Sequence, residues 1–476
     1  MRSWAASCTR RVPRREGQAG IRVGDGPGGC SAGWPDSAVA AAVQAGTLRH
    51  RGLADPHRTY EIRCPIHGFI VLDDREREIV ESRAFQRLRR IRQLAWTDHV
   101  YPGATHTRLE HSLGAMHTAS LLYDSIVRRS REVLRGELAY NRDGLQRDRV
   151  LVRLAAMLHD IGHGPFSHAS EELMPLKGDT ERYQHEDYTA AIIRTQLKDA
   201  IENHPLNANY GFTAEDVAAL IEGSSGARQA VFWRELITGQ MDADRLDYLE
   251  RDSLHAGVQY GRFDVGRLIN TVEAVPRGDG RGPRLGVHEG GWHAAEALIL
   301  ARYFMFTQVY FHKTRVAFDH HLEHALREIL PGGVFPPPTE AGLGDYLGWD
   351  DWRVLGMLAE GRGGDHGRRL ATRDPFRKVF HTPEVPRPED LDDLERARAV
   401  LGEMLAAERH AEKSWYKVGS TDIPIVSEVA SERVQPLSRF SSVVGNLTPN
   451  RQILLYVRPE DREEAKKRLA NRGGNQ

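Results

Sequence analysis

Cysteine is scarce. Only Cys8, Cys30 and Cys64 are present, and no two form a CxxC pair. That usage argues against a disulfide framework or a thiolate zinc site and leads us to expect a reducing cytoplasm. Long apolar runs are also missing, and nothing approaches the ~20 residues a bilayer-crossing helix needs. The most apolar stretch, LILARYFMFTQVYF at 298–311, carries Arg302 and Gln308 and reads as a buried helix. Nor does charge of one sign dominate. Against 65 Lys and Arg stand 66 Asp and Glu, a net charge of −1, so bulk electrostatics gives no case for nucleic acid or a membrane as partner. With 40% hydrophobic and 28% charged residues in 476, the chain reads as globular, long enough for a large core and a smaller appended unit.

Residues 1–58 hold nine arginines, four acids and no apolar periodicity. No apolar h-region follows the basic residues, so a secretory signal is not supported, and a disordered extension is expected. From Asp74 a helical period begins: Ile79, Val80, Leu88, Ile91 and Leu94 recur along DREREIVESRAFQRLRRIRQLAW. After the loop TDHVYPGATHT a second helix starts near Arg108. A third covers 147–162 and is ended by Gly162, Gly164 and Pro165. Further helices are predicted at about 185–200, 213–222, 228–254, 263–274 and 292–330, with a Gly/Pro/Arg-rich excursion between the last two. PGGVFPPPTEAG reads as a linker-like break, followed by helices at 350–360 and 388–411, short β runs, and a last helix at 459–470. The expected fold is mainly α: a helical core over 59–331 and a smaller α+β region over 332–476.

The chemistry gathers around AMLHDIGHGPFSHAS at 156–170. By itself its His159–Asp160 pair means little, since a chain with 22 histidines should hold about one such dipeptide by composition. Position changes that. The pair ends an otherwise apolar helix, where an uncompensated charge is costly, and a metal would supply the missing cation. His111 lies in RLEHSLGAMH, while Asp242, Asp244 and Asp247 in MDADRLDYLERD compete as a second carboxylate. Two imidazoles and two carboxylates suit a borderline first-row divalent ion. Taken singly, His111 also reads as a core histidine and the acidic run as a solvated face. Nearby cations, including Arg108, Arg245 and Lys313, point to phosphate chemistry. His163, His168 and His185 are candidate proton donors, and Glu171 lies one helical turn after His168.

The H…HD…D set, with PIHGFI, FQRLRRIRQLA, YPGATHTRLEHSLG, HDIGHGPFSH, YQHE, DADRLDYLERD and ARYFMFTQVYFHKT, resembles the HD-domain phosphohydrolases. Within them it resembles the deoxynucleoside triphosphate triphosphohydrolases related to the human SAM-and-HD-domain enzyme. The likeness covers about 60–330. No SAM domain precedes the core, so the bacterial HD-only form is the nearer match.

The resemblance implies a divalent ion (Mn²⁺, Mg²⁺, Fe²⁺, Ni²⁺ or Zn²⁺) held by His111, His159, Asp160 and Asp244. It implies His168 as the group that protonates the nucleoside 5′ oxygen, Glu171 as its carboxylate where the human enzyme has aspartate, and His185 as a further catalytic histidine. Arg108, His163, Arg302 and Lys313 fall at phosphate-facing positions, with Arg245 in place of a lysine. Gln93, Leu94, Tyr248 and Asp252 match the sugar pocket, and Tyr310 the aromatic under sugar and base. The implied reaction takes a dNTP to a deoxynucleoside and inorganic triphosphate. Relatives are homo-oligomers, tetramers or dimers, activated by a nucleotide. Gln86 and Arg89 match guanine-site positions there, whereas Glu81 replaces an aspartate and Arg63 and Cys64 depart from the animal pattern. The alternatives are another HD phosphohydrolase or phosphodiesterase, or a 3′ exonuclease on single-stranded nucleic acid. Nucleic-acid binding has only the basic tail in its favour.

Overall fold

In the computed structural model the first regular element is a hairpin of β1 (Tyr60–Cys64) and β2 (Gly68–Leu72), pairing Tyr60 with Leu72 and Cys64 with Gly68. The structure describes residues 59–471 except 224–231, 279–281, 412–415, 417–420 and 429–431. The proposed extension at 1–58 lies outside the described residues. All those described belong to one unit, Ala54–Gln476.

The continuous helix expected from Asp74 is broken. Helix α1 (Asp74–Glu81) stops at Ser82, whose extended backbone (ψ 149°) starts a second short helix and whose hydroxyl accepts the Phe85 N–H. Apolar period carried the reading across a cap that Ser82 supplies. Helix α2 (Arg108–Arg129) begins where expected and lies at the centre, packed against α3 (Arg142–Leu158) and against the later helix Ala243–Ala256. Then come α4 (His185–Thr195), α5 (Ala214–Glu222) and α6 (Ala243–Ala256). A short helix at Val265–Thr271 runs into β3 (Val272–Val275), which pairs antiparallel with β4 (Arg284–His288).

The helix expected over 292–330 divides into α7 (Trp292–Met305) and α8 (Lys313–Ile329), with one π turn at Phe306–Tyr310 between them. Helices α9 (Asp351–Ala359) and α10 (Gly364–Ala371) follow. Beyond them come β5 (Arg377–His381), α11 (Pro388–Leu401), β6 (Leu405–His410), β7 (Pro424–Val426), β8 (Val434–Pro436), β9 (Ile453–Val457) and α12 (Arg462–Asn471). The helix expected over 388–411 therefore gives way to a strand, and Gly402, with φ 49°, marks the change. One sheet has the order β8-β7-β4-β3 and another β5-β9-β6.

The Pro-rich segment at 331–338 is packed rather than extended into solvent. Phe335 is buried, its N–H donates to the Leu173 carbonyl at 2.9 Å, and Tyr188 Oη donates to the Pro336 carbonyl at 2.7 Å. One hydrophobic core accordingly includes residues from Cys64 to Val444. A separate one (Leu394, Leu401, Leu455, Val457, Ala465) joins α11 and α12 to the β5-β9-β6 sheet.

Between α8 and α10 lies a histidine cluster: His320, His321, His324 and His366. His321 is fully buried, accepts the Phe376 N–H on Nε2 (3.0 Å), and brings Nδ1 to 2.8 Å from His366 Nδ1. Burial, reinforced by the neighbouring imidazoles, pushes His321 down to about 2 and His320 to about 3.

Candidate metal centre and active site

Three helices bring the expected ligands together. His111 sits in the first turn of α2, His159 caps the end of α3 with Asp160 next to it, and Asp244 is in the first turn of α6. His111 Nε2 lies 3.0 Å from Asp244 Oδ1 and 3.5 Å from Asp160 Oδ2. His159 Nε2 lies 3.3 Å from Asp160 Oδ1 and 3.5 Å from Asp244 Oδ1. Both Nε2 atoms are buried without a hydrogen bond. Two orphaned imidazole nitrogens facing shared carboxylates form a donor set that fits a divalent ion, and His111, His159 and Asp244 lie within reach of a single one.

Each imidazole is oriented from behind. His159 Nδ1 lies 2.8 Å from the Ala156 carbonyl, and His111 Nδ1 2.9 Å from Asp247 Oδ2. Asp247 is fully buried and also binds Arg251 and His67. Here α2 and α6 come so close that a Cβ on Gly114 would fall 2.0 Å from Asp247 Oδ1. Burial opposes charge on His111, but Asp244, Asp247 and Asp160 outweigh it and hold the metal-free imidazole up to about 10. Burial likewise opposes an ionised Asp160, yet Arg108, His159 and His163 hold its carboxyl well below the usual range.

Next to this centre is a second group. Glu171 accepts from His185 Nδ1 at 2.6 Å and from His168 Nδ1 at 2.9 Å, and lies 3.8 Å from His163 Nδ1. The His163 and His185 rings stack at 3.8 Å. Burial, then Arg108 and His185, holds His163 well below the usual imidazole range, so it is neutral. His163 Nε2 lies 3.2 Å from Asp160 Oδ1, joining the two groups. The His168 side chain is 61% exposed, open to a substrate.

A bend after the end of α3 joins these groups. Gly162 and Gly164 do not take left-handed backbone; Phe166 and Ser167 do, each at φ 58°. Gly162 is needed for proximity, since a Cβ there would fall 2.2 Å from the His185 carbonyl oxygen and 2.4 Å from the Thr189 nitrogen. The turn thus rests directly on the start of α4, where Gly162 N–H donates to Thr189 Oγ1 and Thr189 Oγ1 to the His159 carbonyl, both at 3.0 Å.

The remaining expected residues fall as follows. Arg108 pairs with Asp160 and donates to Ser167 Oγ. Tyr248 and Tyr310 face each other at 6.2 Å, and Tyr248 faces His111 at 6.4 Å. Tyr310 Oη donates to Asp252 Oδ2 at 2.6 Å, while Asp252 Oδ1 lies 2.7 Å from His106 Nε2. Gln93 Oε1 is buried with no hydrogen bond, and Leu94 is buried. Arg302 bonds Gln240 at 3.1 Å, and Arg245 pairs with Asp242. Lys313 lines a separate basic cavity of about 110 Å³ with Arg377, Lys378 and Arg462, whose walls include no metal-centre residue. Gln86 and Arg89 bond each other at 2.7 Å, and Arg89 lines a cavity of about 200 Å³ with Arg63, Cys64 and Arg251. Glu81 does not line it; its carboxylate is exposed and paired with Arg77.

Sequence reasoning missed His67, His106, Asp247 and Arg251 as supports of the centre. For two of these a signal existed: Asp244, Asp247 and Arg251 are spaced i, i+3, i+7 and share one helix face.

Residues 108–252 match the HD domain model, and 263–471 match the HD-associated region. An uncharacterized protein of Bacillus subtilis is 38% identical over 249 residues, 52% of this chain and 51% of its own. The deoxynucleoside triphosphate triphosphohydrolase SAMHD1 of Homo sapiens is 31% identical over 229 residues, 44% of this chain and 35% of its own. The chain spans about half or less of the length of these curated relatives. A solved hypothetical protein from Aquifex aeolicus matches with a TM-score of 0.70 and 28% identity, covering 87% of this chain and 100% of that one. A phosphohydrolase structure from Bacteroides thetaiotaomicron, 24% identical with a TM-score of 0.64 over 84% of this chain and 100% of its own, shares the fold. Residues 108–252 are an HD domain, followed at 263–471 by an HD-associated region.

Proposed function

We propose that this chain is a metal-dependent phosphohydrolase that cleaves dNTPs to a deoxynucleoside and inorganic triphosphate. The observation that carries the reading is the meeting of two groups: the orphaned His111 and His159 nitrogens with Asp244, and, across Asp160 and His163, the Glu171-bound His168. His111, His159, Asp160 and Asp244 would hold the ion. When bound, the ion activates water and neutralises phosphoryl oxygens. Arg108 and Arg302 would hold the triphosphate, and neutral His163 would add a hydrogen bond without charge. Glu171 accepts the hydrogen bond of His168 Nδ1–H, leaving Nε2–H to give its proton to the departing 5′ oxygen as water takes its place on the α-phosphorus. Gln93, Leu94, Tyr248, Asp252 and Tyr310 would form the sugar side, and the buried, unpaired Gln93 Oε1 supplies an acceptor there.

The dNTP specificity draws on the likeness to proteins named for that activity, including a homolog in Dictyostelium discoideum at 32% identity. By the same likeness we propose a homo-oligomer with an activating nucleotide, and the cavity lined by Arg89 is a candidate for it. Among the described residues no helix is long and apolar enough to cross a membrane.

A second reading has one observation in its favour. His163, His168, Glu171 and His185 also lie within reach of a single ion, which would make a two-metal centre suited to phosphodiesters. Product analysis with Mn²⁺ or Mg²⁺, each dNTP, and each nucleotide as activator decides between them. Triphosphate release, abolished in Asp160→Ala and His168→Ala and with one metal per chain, supports the proposal. Monophosphate products from a dinucleotide, with two metals per chain, overturn it.

A further inference from the structure

Two segments remote in sequence carry the groups this reaction needs. Residues 91–97 hold Gln93 and Leu94, and residues 163–171 hold His163, His168 and Glu171. Little regular structure ties the first down, since Arg92 forms an isolated bridge with Thr107. A third segment links them. Asp351, the first residue of α9, is 1% exposed; its Oδ2 accepts the Arg92 N–H at 2.9 Å and its Oδ1 accepts the Phe166 N–H at 2.7 Å.

Two further contacts reinforce this bridge. Ser167 Oγ donates to the Arg92 carbonyl at 2.7 Å and accepts from Arg108 Nε at 2.8 Å. The Trp96 and Phe166 rings stack 4.7 Å apart and 8° from parallel. Both backbone groups of Arg92 are therefore held by partners that also fix Phe166 and Ser167. Those two residues have left-handed backbone, which non-glycine residues keep only when their surroundings hold them.

We propose that Asp351 is a positioning residue that fixes the proton donor His168 relative to the sugar-side residues Gln93 and Leu94. This rests on the reading of those residues given above. Both carboxylate oxygens accept from backbone amides, which favours the ionised form. Burial pushes it up to about 7, against the pull of its two amide donors and Arg92, while Asp350 beside it adds to the rise. The neighbouring charges are paired elsewhere: Arg92 with Asp98 at 2.8 Å and Asp350 with Arg90 at 2.5 Å. Asp351 is thus committed to the two backbone amides. An asparagine of equal volume keeps one acceptor and turns a donor toward the other N–H.

The test compares the full-length, metal-loaded wild type with Asp351→Asn. A misplacement near 1 Å can cost about a hundredfold, so kcat should fall about 10- to 100-fold while KM moves less than about threefold. Metal content should be unchanged. Hydrogen exchange should accelerate in peptides spanning 91–97 and 163–171 and not in α2 or α3. Unchanged kcat, or exchange that rises evenly through the fold, would overturn the proposal by leaving Asp351 a general stabiliser. A wild type without triphosphohydrolase activity would sink the functional reading alone. The exchange pattern would still decide whether Asp351 ties the two segments together.

Discussion

Replacing Asp247 by asparagine tests whether the metal centre is organised from behind. Its two oxygens serve four donors. Oδ1 meets His67 Nε2 at 2.7 Å and Arg251 Nη2 at 2.8 Å, while Oδ2 meets His111 Nδ1 at 2.9 Å and Arg251 Nε at 2.8 Å. Whichever way an asparagine turns, its amide faces one nitrogen of Arg251 and one histidine. His67 can change tautomer and accept, so the amide settles on that side, but the buried guanidinium still loses its counter-charge. Breaking a buried ion pair costs about 3–5 kcal/mol, which denaturant unfolding of the metal-free protein would measure. For the metal, losing a carboxylate behind a ligating imidazole typically costs about 10- to 100-fold in affinity, or about 1.4–2.7 kcal/mol.

Proton competition sets the direction with pH. In the wild type His111 is held up to about 10, so at neutral pH an incoming ion must displace a proton. The variant has less to displace. Its affinity deficit should therefore be larger at pH 9 than at pH 7 when measured by competition with a chromophoric chelator. Equal affinities at both pH values, in a protein that still unfolds cooperatively, would refute the idea that Asp247 organises His111.

Gly162→Ala should disturb the turn that carries the site, because its Cβ meets backbone atoms at 2.2 and 2.4 Å. Overpacking of this kind costs about 1–3 kcal/mol, and displacement of His163 and His168 should lower turnover about 100-fold. An alanine variant with wild-type kcat and melting temperature would contradict the close approach. His321 gives a pH signature far from the site. Its folded value of about 2 lies below the ordinary 6.5, so the unfolded chain takes the proton first and stability is lost as pH falls through 6.5. By pH 5 the loss reaches about 2 kcal/mol. Denaturation of His321→Gln at pH 7 and pH 5 should show a drop smaller by about that amount, and an identical drop would count against a neutral, buried His321.

Where local chemistry decides structure, much was legible. Helix α2 starts at Arg108 as the pattern requires, α5 matches its expected limits to within a residue, and His111, His159 and Asp244 meet as the HD pattern implies. Reading failed where a tertiary contact overrides period. Ser82 caps a new turn within an apparently continuous helix, and residues 405–410 leave helical pattern to pair with β9. At the bend after α3, space beside α4 demands Gly162 while the left-handed backbone falls on Phe166 and Ser167, and both follow from tertiary contacts that no local pattern records. Asp247 and Arg251 share a helix face with Asp244, but their other partners and those of Asp351 were illegible: Asp247 reaches His111 and His67, 136 and 180 positions away, and Asp351 reaches Phe166 and Arg92, 185 and 259 away.

The packing of residues 335–351 bears on how this chain could be recombined. Phe335 and Pro336 bond to Leu173 and Tyr188, Tyr346 Oη donates to the Gly162 carbonyl at 2.6 Å, and Asp351 holds Arg92 and Phe166. A graft that carried the HD signature alone, cut anywhere between 252 and 335, would bring the metal ligands and leave behind the residues that hold their turn. To exchange this catalytic unit between relatives, the natural cut lies beyond α9.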